Sequence, residues 1–164
     1  MDTIIPVILI AATLLTGLLA GFYYAWSCSV MPGLKGTDDR TFITTMQKIN
    51  IAILNPAFML IFIGPLIAIV LSIILLFIDG GVSAAICALV ALIGVIAEIA
   101  ITARQNQPMN IALDAAGAYD DLANPHETRA QFEAPWVRWN HLRTATSTLA
   151  FLLMLGSLTL YLAG

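Results

Sequence analysis

"SIILLFIDGGVSAAICALV", Ser72 to Val90, decides the fold. Apolar residues run into Asp79, Gly80 and Gly81 from one side and resume at Val82 on the other. Asp-Gly-Gly makes a tight turn, because glycine takes backbone angles that other residues avoid. The two apolar flanks therefore run antiparallel. Upstream the run reaches back to Ile51, and downstream it continues to Ala103. Each flank exceeds the roughly 20 apolar residues that cross a hydrocarbon core. In lipid the backbone has to satisfy its own hydrogen bonds, so each flank is a helix.

Outward from this hairpin lie two more segments of the same kind, Thr3 to Met31 and Trp136 to Leu162. The predicted spans are 3–31, 51–78, 82–103 and 136–162, with a long third connection at 105–135. "MPG" ends the first span and Pro135 starts the last. The reading is all-α: a four-helix transmembrane bundle with helical extensions on the cytoplasmic side, one membrane domain over 1–164. Asp2 stands where a signal peptide would carry basic residues, so the first segment reads as a retained helix.

Composition agrees. The chain is 60% hydrophobic and 10% charged, with a mean hydropathy of +0.92. Soluble domains sit nearer half apolar and about a quarter charged. This chain cannot cover its apolar surface with polar side chains, so its solvent is the lipid bilayer. The net charge of −3 and the absence of any Lys/Arg run exclude nucleic acid as a partner. Cys28 and Cys87 form no C-x-x-C pair and read as small packing residues.

Charge placement orients the bundle. The basic residues Lys35, Arg40, Lys48, Arg104, Arg129, Arg138 and Arg143 all lie in or beside the first and third connections. Neither terminus nor the "DGG" turn carries one. The positive-inside rule then predicts a multi-pass protein of the cell (inner) membrane with both termini outside the cytoplasm. The connections carry structure of their own. Thr37 to Asn50 has helical potential and reads as an outward extension of the second span. Asn124, Pro125 and Glu127 read as a helix cap, first position and first turn.

Polar residues inside the spans mark the candidate site. Glu98, Thr102, Asn106 and Asn110 recur every four residues, on one slowly drifting helix face. Glu98 lies at membrane depth, where an ionisable group is costly. Two readings stand for it: a functional acid or base, or a group near the cytoplasmic end that is protonated or paired with Arg104 or Arg143. Trp136, Asn140, Arg143, Thr144 and Ser147 form one face of the last span. Trp136 and Trp139 also suit an interfacial aromatic belt, which leaves the inward-running polar residues unexplained. The first span adds Tyr23, Tyr24 and Trp26 at the same end, and the second adds Asn50 and Asn55 beside Pro56. Pro56 and Pro65 read either as kinks that serve packing or as a bend that opens a pocket beside Asn50 and Asn55. All four spans thus bring polar or aromatic groups to the cytoplasmic end. This outlines a pocket with apolar walls and a few fixed polar groups for a small hydrophobic ligand.

Several chemistries are absent from the sequence. No phosphate-binding glycine loop or nucleophile elbow occurs. With His126 and His141 as the two histidines, a multi-histidine metal site is excluded. One axial ligand suffices for haem, so haem b on His141 stays open beside a cofactor-free site.

"GFYYAWSCSVMPGL", "MQKINIAILNPAF", "NQPMN" and "WVRWNHLRT" occur in this order over nearly the whole chain. Together they resemble the anthrone oxygenase-like family of small four-span membrane proteins, whose fungal enzymes oxidise anthrones to anthraquinones with molecular oxygen. The matching positions are Trp26, Asn50, Asn106, Pro108, Asn110, Trp136, Asn140 and Arg143. The resemblance implies an oxygenase, and the chemistry of the side chains suggests its course: an aromatic substrate would stack on Trp26, Tyr23 or Trp136. Glu98 or His141 would take a proton, and Arg143 with Asn140 would hold the oxyanion. A haem redox protein, a small-molecule carrier and a structural membrane factor are the competing readings. Association into a homo-oligomer is open.

Overall fold

The computed structural model describes residues 3–164; Asp2, read above in place of a basic leader, lies outside them. Five helices carry the chain: α1 Ile4–Lys35, α2 Asp39–Ala52, α3 Pro56–Asp79, α4 Val82–Ala115 and α5 Pro125–Ala163. A 3-10 turn at Tyr119–Asp121 lies between α4 and α5. There is no strand among the described residues. Four helices, α1, α3, α4 and α5, are long and apolar enough to cross a membrane.

The hairpin forms where the sequence put it. Gly80 closes α3 in the left-handed region at φ 84°, and the Gly81 N–H donates to the Leu76 carbonyl at 2.9 Å. Beyond the turn, α4 faces α5 with small residues. Ala84, Ala88, Ala91 and Ala150 are buried, while Ile86, Ile93, Leu149 and Leu152 point outward. A Cβ on Gly94 would meet the Thr146 carbonyl oxygen and the Ala150 Cβ, both at 3.2 Å. Lipid supplies no hydrophobic drive between helices, so close backbone approach has to hold the seam. Ser157 strengthens it by donating to the Ala84 carbonyl at 2.8 Å.

Two apolar cores stack along the bundle. One runs from the hairpin-turn end toward mid-height, with residues such as Ile5, Leu76, Val95 and Met154. The other is aromatic, with Trp26, Phe42, Met46, Phe132 and Trp136, at the end that α2 covers. The polar residues of the site form the layer between them.

Helix ends differ from the sequence reading in four places. The first span does not stop at "MPG", because α1 continues to Lys35. The third span runs past Ala103 to Ala115, and α5 begins at Pro125 rather than at Pro135. The long connection therefore shrinks to residues 116–124. For α1 and α4 the cause is written in the helices: Trp26–Val30 and Thr102–Asn106 are π-helical turns, each ending two residues before a proline, Pro32 or Pro108. Proline has no N–H to donate, and its ring clashes with the carbonyl four residues back. A wider turn absorbs both problems and lets the helix continue. Pro56 is the opposite case. It is the first residue of α3, and the Asn55 side chain accepts the Phe58 N–H at 3.0 Å. Asn55-Pro56 is a cap and first position rather than a kink. As a result α2 ends at Ala52 and is a separate helix, not an extension of the second span.

Side chains finish the other ends. Asp38 accepts from the Thr41 N–H at 2.8 Å and its hydroxyl at 3.0 Å. These bonds hold its carboxyl below the usual aspartate range. Asn124 caps α5 as the sequence indicated, accepting the Glu127 N–H at 3.2 Å. Arg129 donates to the carbonyls of Thr37 at 2.7 Å and Lys35 at 3.1 Å, just past and at the end of α1. Gln47 donates to the carbonyls of Leu113 and Gly117, both at 2.9 Å, and so satisfies the end of α4. Orphan helix carbonyls are thereby paired by side chains of neighbouring helices.

Candidate functional site

The polar layer begins at Glu98, a fully buried carboxyl on α4. Its Oε1 accepts from the Tyr23 hydroxyl of α1 and from the Thr102 hydroxyl one turn on, at 3.0 Å. Its Oε2 has no partner. From α5, Arg143 reaches into the same layer. Its Nη1 donates to the Thr102 hydroxyl at 3.4 Å and its Nη2 to Asn140 Oδ1 at 2.8 Å. Glu98 and Arg143 make no direct ion pair, and Thr102 bridges them. The guanidinium lies 4.5 Å from the Tyr23 ring and 5.2 Å from the Trp136 ring. Both distances lie within the reach at which a guanidinium and an aromatic ring attract.

Asn140 extends the network to α1. Its Nδ2 donates to the Ser27 hydroxyl at 2.9 Å, and Ser27 lies 2.8 Å from the Thr144 hydroxyl. Thr144 in turn reaches the Tyr23 carbonyl at 3.1 Å. Both π turns fall at this level. They contain Trp26 and Ser27 on one helix and Thr102 and Asn106 on the other. A π turn shifts the side chains that follow it around the helix, and such turns recur at functional sites.

The aromatic side is equally ordered. Trp26 and Trp136 are 5.1 Å apart, centre to centre. Trp136 Nε1 donates to Asn110 Oδ1 at 2.8 Å, and its carbonyl accepts from Asn106 at 3.2 Å. Asn50, on α2, donates to Asp114 at 3.2 Å. These groups enclose a cavity of about 40 Å³, whose lining includes Phe22, Tyr23, Trp26, Asn50, Phe58, Asn110, Trp136 and Arg143. Established small-molecule pockets hold about 300–1,000 Å³, so a ring system enters only if side chains move. Phe22 and Phe58, 5.2 Å apart, are half-buried and can turn outward.

Three buried polar atoms in this layer have no partner: Glu98 Oε2, Asn106 Oδ1 and Arg143 Nε. Such atoms are costly and call for a ligand or a water. They offer two acceptors and one donor, which suits a ligand bearing both an acidic hydrogen and a developing negative oxygen.

The structure brings together Tyr23, Trp26, Asn50, Glu98, Asn106, Asn110, Trp136, Asn140 and Arg143. It does not bring in His141, which is exposed on α5, one residue and about 100° round the helix from Asn140. Asn55 is committed to its cap and Tyr24 points outward. No cluster of three or more His, Cys, Asp or Glu side chains suited to a metal occurs among the described residues. Sequence reasoning missed Ser27, Asp114, Phe22 and Phe58. Ser27 lies four residues after Tyr23, on the same helix face, which is a signal too common among helical serines to stand out.

Among known proteins, a family model described as anthrone oxygenase matches residues 58–153, more than half of the chain. The matched stretch includes Glu98, Thr102, Asn106, Asn110, Trp136, Asn140 and Arg143, while Tyr23, Trp26 and Asn50 lie before it. No curated protein and no solved structure matches the chain.

Proposed function

The chain belongs to the anthrone oxygenase family, and from that premise we propose that it is a membrane oxygenase. Its substrate is a small hydrophobic aromatic of the anthrone kind, oxidised by molecular oxygen in the cavity beside Tyr23 and Arg143. The observation that carries this reading is the trio of unpartnered buried atoms, on Glu98, Asn106 and Arg143, beside an aromatic-walled cavity. A structural layer would be expected to satisfy its own hydrogen bonds.

The substrate partitions from the bilayer, displaces Phe22 and Phe58, and stacks on Trp26 and Trp136. Its methylene, flanked by two aryl rings, loses a proton to the Tyr23–Glu98 pair. Tyr23 lines the cavity and Glu98 receives the proton through it. The negative charge moves to the ketone oxygen, which Arg143 stabilises. The electron-rich carbon then reduces oxygen and becomes a hydroperoxide. Loss of water leaves a second carbonyl, so one anthrone and one O2 give one anthraquinone and one water. Oxygen dissolves in lipid and reaches the site by the same route.

The basic residues gather at the α2 end of the bundle, which supports placing that end and the site in the cytoplasm and both termini outside. Purified protein in lipid nanodiscs converts an anthrone faster than buffer does, and Arg143→Ala removes about 100-fold or more of that gain. Equal rates with and without protein would remove the proposal.

A further inference from the structure

His141, left outside the oxidation site, lines a different surface. It joins two grooves that follow α5. The first, of about 670 Å³, is formed by the end of α1 and the start of α5 and is lined by Lys35, Glu133, Val137, Arg138 and His141. The second continues from His141 toward mid-bundle over Tyr24, Ala145, Leu149 and Leu152.

The two grooves have different chemistry. In the first, Lys35, Arg138 and His141 are exposed, and none has a carboxylate partner among the described residues. Its one acid, Glu133, is already bound to Arg129, Nε to Oε2, at 2.7 Å. The groove therefore presents unanswered positive charge. Arg138 and His141 stand three residues apart on α5 and so share a side of the helix. Trp139 beside them, 6.0 Å from the Arg138 guanidinium, suits the headgroup level. The second groove exposes mostly apolar surface, with Ser27, Thr144 and Thr148 along it, and from His141 to Leu152 it follows roughly 16 Å of helix. That is the length of much of an acyl chain.

We propose that this paired groove is a binding site for one anionic phospholipid. The phosphate lies among Lys35, Arg138 and His141, and one acyl chain lies along Ala145, Leu149 and Leu152. Charge alone would suit inorganic phosphate equally; the apolar track continuous with the basic groove commits the site to a lipid. Basic pockets at the membrane edge of helical bundles recognise anionic headgroups in this way. Neither Glu98 nor Arg143 lines it, although Ser27 and Thr144 of the polar network edge the apolar track, and its occupancy does not depend on the oxidation chemistry.

The test is native mass spectrometry of the purified full chain after exchange into phosphatidylglycerol or phosphatidylcholine. Wild type retains phosphatidylglycerol preferentially, and millimolar inorganic phosphate does not displace it. The combined variant Lys35→Gln, Arg138→Gln, His141→Ala lowers phosphatidylglycerol retention by about 10-fold or more and leaves phosphatidylcholine retention as it was. Leu149→Trp, which fills the apolar track and keeps every cation, lowers retention as well. Equal retention of the two lipids, displacement by phosphate, or unchanged phosphatidylglycerol retention in a folded triple variant would each overturn the site. If the triple variant loses its helical circular dichroism, Leu149→Trp decides alone, and unchanged retention there overturns it too.

Discussion

Arg143 joins the hydrogen-bond network of the polar layer to its aromatic wall. It bonds Thr102 and Asn140, stacks against Tyr23 and Trp136, and lines the cavity. Arg143→Lys keeps the charge and loses the flat, forked group that these contacts need. Turnover of an anthrone by that variant should fall by about 100-fold with helical circular dichroism unchanged; wild-type turnover would show that charge alone suffices. Tyr23→Phe removes a partner from buried Glu98. Thr102 still donates to the same oxygen, so the loss is that of one hydrogen bond, about 0.5–1.5 kcal/mol, and the midpoint of thermal unfolding should drop together with turnover. A drop in stability with full turnover would take Tyr23 out of the proton path. At this scale the sequence was most legible where a polar residue stood against an apolar background, as at Glu98, Asn140 and Arg143. Ser27 and Phe58 escaped notice because serine and phenylalanine are ordinary in membrane helices. His141 drew attention by chemistry, but the angular step from Asn140 turns it outward.

Helix ends and turns set where those side chains arrive. The four-residue spacing of Glu98, Thr102, Asn106 and Asn110 was legible, whereas the π turn beneath it was not. Pro32 looked like a helix stop, and the wider turn before it, as before Pro108, allowed the helix to pass. Conversely, Asn55-Pro56 looked like a kink inside a helix and is a start. Asn55→Ala should cost about 1 kcal/mol, seen as a lower unfolding midpoint; no change would mean that the cap contributes nothing. The α4–α5 seam is less forgiving. With a backbone oxygen and a Cβ at 3.2 Å, Gly94→Leu forces the helices apart and should cost about 1–3 kcal/mol. The α2 cap also carries a pH dependence. The folded state lowers the Asp38 carboxyl below its unfolded value. Its stabilisation is therefore complete above about pH 4 and lost as pH falls through the lowered value. Amide exchange at Thr41 should speed up in that acid range in wild type and be fast and pH-flat, after correction for intrinsic exchange, in Asp38→Ala.

Across the whole molecule, four spans and one hairpin were readable because lipid leaves the backbone few choices. The closing of one end by α2 was not, since its contacts with α4 and α5 come from residues distant in sequence, such as Gln47 and Arg129. This closure makes the candidate site a layer between two cores. Oxygen uptake by purified protein in nanodiscs, followed with an anthrone in wild type and in Glu98→Gln, tests the account most directly. The account predicts uptake of one O2 per anthrone, accelerated over buffer by about 100-fold or more, with most of that acceleration lost in a folded Glu98→Gln protein. No acceleration by wild type, or full acceleration by Glu98→Gln, would contradict it.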